Sequence, residues 1–347
     1  MRRHFICSKK SYISVLSSLP ILFIVILLIL LQRRDVYSAT SPDLGRYEQV
    51  FNSAYFFDIL PFVQNYRFEP GFTIVIKIFE DAGASFDSFV IITQLFYFAC
   101  MLLLFRNLAI GNLPFALLFL AAAIWLPTNQ IMANNALRQA WAMSFMFLFL
   151  TIVISRGQGK QLKSNWRGIA LIFSLSCGVL FHYSFIIIAA LIIISLYLSN
   201  KTTFIAWIIL IILYCLNLPY LDGLLKLYLY PLIEMRSTGA ESAIETAYRL
   251  GFKINFFLMS VVPALTLIVA KIFGLKLTQP LEDMYRIYFV TNSFCLLLSL
   301  LPFHDRFFHY TWALIPAIVL GTIIELVYSY AWGSAKMNQS STINQII

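Results

Sequence analysis

The feature that most constrains this chain is a series of long apolar runs. The first, Ile13 to Leu31, opens with several serines and closes in an unbroken apolar stretch from Ile21 to Leu31. Crossing a bilayer core takes roughly 20 mostly apolar residues, and runs of comparable character recur through the 347 residues. Charged residues make up 12% of the chain, about half of the ~25% typical of a soluble domain. That leaves too few charges to coat a water-facing surface. The expected fold is therefore all-α: a polytopic membrane protein forming a single integral membrane domain over residues 1–347.

A basic start (Arg2, Arg3, Lys9, Lys10) suits either an uncleaved anchor or a signal peptide. The nearest small-residue site is around Ala39, and Tyr37 stands where cleavage wants a small residue, so the anchor is expected. The five cysteines (Cys7, Cys100, Cys177, Cys215, Cys295) show no paired spacing. Neither a disulfide framework nor a zinc site is supported, and no cofactor or metal is expected. A net charge of +9 fits basic cytoplasmic loops and an anionic lipid-linked ligand. No basic helix or aromatic platform points to nucleic acid.

Ten spans are predicted, near 13–31, 86–105, 113–127, 134–154, 168–181, 184–198, 203–217, 250–270, 286–301 and 311–331, with a short interfacial helix over 70–82. Several are only 14 or 15 residues long, as tilted or re-entrant segments would be. The stretch 168–198 is divided at Phe181-His182-Tyr183-Ser184. The basic loop 156–167 carries four Lys/Arg and belongs inside, as does the basic N-terminus. Ten spans satisfy both, placing N- and C-termini in the cytoplasm, the tail 332–347 inside, and segments 32–85 and 218–249 outside. With Arg286 set aside at a boundary, the inside holds eight Lys and five Arg, the outside three Lys and eight Arg. Arginine's planar fork suits bidentate phosphate binding, so the outer face is expected to meet an anionic ligand or to pair with outer acids such as Glu234 and Glu241.

Ionisable residues at membrane depth are functional candidates. Arg138, in Asn134-Asn135-Ala136-Leu137-Arg138-Gln139-Ala140, could bind a diphosphate with help from Asn135 and Gln139, or snorkel at the interface. His182, at the helix break, could be a base, a proton relay or a phosphate donor, or be structural. Asp305 and Arg306, with His304, His309 and Tyr310, make a dense titratable cluster in a short outer loop, or a solvated turn. Asp43 and Tyr47 share a face if their stretch is helical. Glu69 precedes a helix-starting Pro70. Asp43 or Glu69 could accept a proton from a sugar hydroxyl, while Glu69 could equally cap the helix or pair with Arg67. Arg236, Arg249 and Lys253 could hold an acidic headgroup or anchor the eighth span.

These landmarks together resemble the EpsG family of membrane polysaccharide proteins, within the wider class of Wzy-type O-antigen polymerases. They are Asp43 with Tyr47, then Glu69-Pro70-Gly71-Phe72, Leu137-Arg138-Gln139-Ala140-x-Ala142, His182-x-Ser184, and Arg306-x-x-x-Tyr310. Tyr183 departs from the proline or small residue found there in many relatives. The resemblance implies a bacterial inner-membrane glycosyltransferase needing no metal, with a GT-C-like architecture as one expectation. It would join undecaprenyl-diphosphate-linked oligosaccharides at the periplasmic face, among membrane lipids, with a flippase and a chain-length regulator as protein partners. It implies Arg138, Arg306 and Arg249 on the diphosphate, with Asn135, Gln139, Tyr47 and Tyr310 nearby. Asp43, Glu69, His182 and Asp305 are then the catalytic candidates. A flippase for the same lipid-linked unit and an O-antigen ligase-type transferase are the alternatives.

Overall fold

The computed structural model describes residues 42–66, 68–108, 113–154, 164–216, 252–300 and 305–343. The span expected at 13–31, the loop 156–163, the outer segment 218–249 with Arg236 and Arg249, and Arg67 and His304 lie outside these residues. Every regular element described is helical, with no strand among the described residues. Four helical segments are long and apolar enough to cross a membrane: Phe86–Leu108, Leu137–Ile154, Ile254–Ile272 and Arg306–Ser329. A bent pair, Leu113–Ile124 with Pro127–Asn134, makes a fifth if counted as one span. Shorter apolar helices cover Trp166–Phe181, Phe185–Ser195 and Asn200–Leu216. Large aliphatic side chains stand exposed along these shorter helices, including Ile172, Ile194 and Ile209. Such a surface suits lipid and not water.

The chain divides into two compact units, one before and one after the boundary at Ala190 and Leu191. In the first, α1 (Pro42–Ser53) and α2 (Ile59–Asn65) precede α3 (Pro70–Asp81), a helix where a short one was expected at 70–82. Then follow α4 (Phe86–Leu108), α5 (Leu113–Ile124), α6 (Pro127–Asn134), α7 (Leu137–Ile154), α8 (Ser164–Phe181) and the start of α9 (Phe185–Ser195). Helix α7 packs along both α4 and α8. The break between α5 and α6 bends the chain by 80°, at Pro127, which has no N–H to continue a helix. A carbonyl released there is recovered by a side chain, since Asn129 Nδ2 donates to Ala123 O at 2.9 Å. Tyr97 OH donates in turn to Asn129 Oδ1 at 2.9 Å. Side chains thus satisfy backbone groups that the break releases, as an apolar surrounding requires.

The expected break at His182 is present between α8 and α9. Gly178 explains how it packs: a Cβ there would lie 2.2 Å from the Phe185 ring, so only glycine lets α9 fold back over the end of α8.

The second unit contains the rest of α9, then α10 (Asn200–Leu216), α11 (Ile254–Ile272), α12 (Gln279–Leu297), α13 (Asp305–Trp312) and α14 (Ile315–Ile343). Asn292 lies at its polar centre. It accepts from Trp207 Nε1 at 2.9 Å and donates to Ser260 Oγ at 3.2 Å and Thr311 Oγ1 at 3.3 Å. One fully buried amide thus ties together α10, α11, α12 and α13. Helix α12 starts seven residues earlier than the span expected at 286–301. Thr278 and Pro280 begin it, and Glu325 of α14 accepts from Thr278 N at 2.9 Å and also from Thr278 Oγ1. A tertiary carboxylate thus supplies the cap that no local side chain provides. The segment expected as a short loop around Asp305 is helical, with buried Phe308, His309 and Tyr310 giving α13 a packed face.

Candidate functional site

In the first unit, three residues far apart in sequence converge through their charged side chains. Glu69 Oε2 accepts from Arg138 Nη1 at 2.6 Å, and Glu69 Oε1 lies 3.0 Å from His182 Nδ1. Arg138 Nε donates to Tyr47 OH at 3.3 Å. The guanidinium also lies over the Phe68 ring, 4.6 Å from its centroid, a cation–π contact. Four elements meet here: α1 brings Tyr47, the turn before α3 brings Phe68 and Glu69, α7 brings Arg138, and the α8–α9 break brings His182.

Local chemistry explains the convergence. Glu69 occupies the N-cap position of α3 ahead of Pro70, yet its side chain makes no capping bond. The carboxylate turns instead to Arg138 and His182, so it does not cap the helix, while Arg67, its other expected partner, lies outside the described residues. Gly71 then decides how close α3 can come to α8. A Cβ there would sit 2.9 Å from Leu180 O, a backbone atom unable to swing aside. Further in, the Trp141 ring stacks on Phe181 at 4.9 Å with planes 10° apart, and Trp141 Nε1 donates to Thr93 Oγ1 at 3.0 Å. Trp141 lies one turn beyond Arg138 and Phe181 adjoins His182, so this stack holds the ends of α7 and α8 in register.

Replacing Gly71 with Ala is expected to push α3 away from Leu180 and lengthen the Glu69–His182 contact. A fall in thermal stability of about 1–3 kcal/mol, together with a large loss of elongation, is the expected outcome in detergent-purified protein and in cells. Unchanged stability and elongation would remove the close approach from the account of the site.

Glu69 is buried, which by itself would raise its pKa. The hydrogen bond with His182 and the charges of Arg138 and His182 outweigh burial and hold the carboxyl at about 2. A free glutamate titrates near 4.3. Since the folded value is depressed, the stability it contributes is fully present above the free value and is lost as pH falls towards about 2. Thermal unfolding between pH 6 and 3 (roughly the usable acid range) should show a decline that Glu69→Gln flattens. An equal slope in both proteins would exclude Glu69 as its source.

Among the expected site residues, the structure brings together Tyr47, Glu69, Arg138 and His182. Asp43 stands in the first turn of α1, which is helical as the shared-face argument with Tyr47 required. Gln139 is buried on α7, while Asn135 ends α6 with its Oδ1 lacking a hydrogen-bond partner. Arg306, half-buried, and Tyr310, buried, belong to the second unit, where Asp305 begins α13. Arg249 is outside the described residues. Phe68 was not singled out by the sequence, because an aromatic residue beside an acid carries no pattern of its own. No group of His, Cys, Asp and Glu able to hold a metal ion occurs among the described residues.

The apolar helices, with three sequence landmarks closing on one arginine–carboxylate–histidine cluster, define in class an α-helical membrane protein. The model of the EpsG family matches residues 19–335, nearly the whole chain, and the protein belongs to that family. The family is associated with Wzy-type polymerase and glycosyltransferase-like membrane proteins. No curated protein and no solved structure matches the chain.

Proposed function

We propose that this protein polymerises lipid-linked oligosaccharides, joining undecaprenyl-diphosphate-linked repeat units at the periplasmic face of a bacterial inner membrane, in a ten-span topology with both termini cytoplasmic. The observation that carries this reading is the Arg138–Glu69–His182 cluster, drawn from three of the landmarks on which the family resemblance rests.

In the reaction, a hydroxyl of the incoming unit's terminal sugar attacks the anomeric carbon of the growing chain. The new C–O bond forms as the bond from the anomeric carbon to the phosphate oxygen breaks, and the electron pair leaves with the lipid diphosphate. The hydroxyl proton needs an acceptor and the leaving diphosphate needs cations. Among Asp43, Glu69 and His182, the geometry favours His182 as the acceptor. Both Glu69 carboxylate oxygens are already engaged, Oε2 by Arg138 and Oε1 by His182. In the neutral tautomer that donates from Nδ1 to Glu69, the histidine keeps its Nε2 lone pair for the proton. Glu69 is then a positioning residue, orienting both His182 and Arg138. Arg138 receives the diphosphate, its planar fork exchanging the carboxylate for phosphate oxygens. The assignment of Arg249, Arg306, Tyr310 and Asp305 to the same reaction rests on their sequence positions. Exposed Tyr55, Phe56, Ile59 and Leu60 give the segment before the site an apolar surface suited to the bilayer interface.

Deleting the gene in its native host and running the surface polysaccharide on a gel tests this. Loss of the ladder, leaving lipid core with one repeat unit and lipid-linked units accumulating outside, is expected. An intact ladder with no redundant enzyme overturns the reading. Accumulation inside would indicate a flippase, and core without any unit a ligase.

A further inference from the structure

Next to the cluster, a cavity of about 350 Å³ is lined by Arg46, Gln49, Val50, Tyr66 and Phe68. Sites for small molecules begin near ~300 Å³, so this one accommodates a small rigid ring. Its two aromatic walls are held in place. The Tyr66 ring packs 4.8 Å from Phe62, and its hydroxyl donates to Ser53 Oγ, which itself donates to Val50 O at 2.8 Å. Phe68 packs against Tyr47 at 5.7 Å and Phe72 at 5.9 Å. The rim is polar and exposed: among the described residues the side chains of Arg46 and Gln49 make no hydrogen bond or ion pair, and Arg46 lies 5.4 Å from the Phe68 centroid.

Fixed aromatic walls with free donors at the mouth suit a pyranose. One face of such a ring carries C–H groups that pack on a flat apolar surface, while its hydroxyls accept hydrogen bonds at the edge. The location adds to the fit, because Phe68 is shared with Arg138. In a glycosyl diphosphate the anomeric carbon is bonded directly to a phosphate oxygen. A diphosphate on Arg138 therefore brings the first sugar ring beside Phe68.

We propose that this cavity is the subsite for the sugar joined directly to the diphosphate, with Phe68 and Tyr66 against its ring and Arg46 and Gln49 on its hydroxyls. The identity of the ligand rests on the polymerase reading, but the test needs no turnover. The probe is the repeat-unit oligosaccharide released by mild acid from the host's lipid-linked intermediate, examined by saturation-transfer NMR with detergent-purified protein. Transfer should reach the C–H protons of the reducing-end sugar, and the Arg46→Gln/Gln49→Ala double variant should reduce it by about tenfold. Binding of farnesyl diphosphate, measured on the same samples, should be unchanged. No transfer in the wild type, or equal transfer in the variant, overturns the subsite. Parallel loss of farnesyl diphosphate would also overturn it, by assigning Arg46 to the phosphates. An intact polysaccharide ladder after gene deletion would remove the polymerase reading while leaving sugar binding here measurable.

Discussion

Arg138→Ala should abolish chain elongation, and the Arg138→Ala/Glu69→Gln double variant should regain stability without regaining elongation. The reason lies in burial. Glu69 is 4% exposed, and Arg138 is its cationic partner at 2.6 Å. Removing the arginine leaves the buried carboxylate with His182 as its remaining partner, at a cost of up to about 3–5 kcal/mol. Loss of function in the single variant could therefore reflect loss of protein. Neutralising Glu69 as well removes the stranded charge and should restore most of the melting temperature in detergent. What it cannot restore is the stabilisation of the departing diphosphate, worth about 10²–10³ in rate for one lost donor of this kind. Normal protein level with no ladder is the expected result for the double variant. A full ladder from it would reduce Arg138 to a structural partner of Glu69.

The second large effect is expected at His182. His182→Gln retains an amide donor for Glu69 while removing the proton acceptor, and His182→Ala removes both. Loss of general base catalysis lowers rates by about 10²–10⁴, so both variants should leave core with single repeat units. The melting temperature separates them: the glutamine variant should stay near the wild type, and the alanine variant should fall, since Glu69 loses one of its two partners. Elongation by His182→Gln within tenfold of the wild type (about 1.4 kcal/mol) would rule out the proton-acceptor role and return Asp43 to consideration.

The sequence was most informative where a physical limit acts locally. Bilayer thickness makes apolar runs readable, and the helices at 86–108, 137–154 and 254–272 lie close to the spans expected there. Two breaks were legible for similar reasons: Pro70 starts α3, and the polar tetrapeptide around His182 separates α8 from α9. Boundaries were less legible where their cause is distant. Helix α12 begins at Gln279 because Glu325, on another helix, holds Thr278. Nothing near residue 279 announces that partner.

For the site, residue types and order along the chain were enough to single out Glu69, Arg138, His182 and Tyr47 as candidates, since charged and polar groups are costly at membrane depth and need a reason. Their relationship was a tertiary matter. Sequence left Glu69 as a base, a cap or a partner of Arg67; the fold makes it the anion shared by Arg138 and His182. Phe68 became part of the arginine's environment through packing alone. Gly71 shows the division most clearly. Its sequence context marks it as the second residue of a helix, while its necessity comes from a carbonyl of Leu180, more than a hundred residues away, that leaves no room for a methyl group. Composition and periodicity act through the solvent and the nearest turn, so one sequence reveals them. Contacts between helices depend on shapes that meet only after folding, and these decided which charged residues meet.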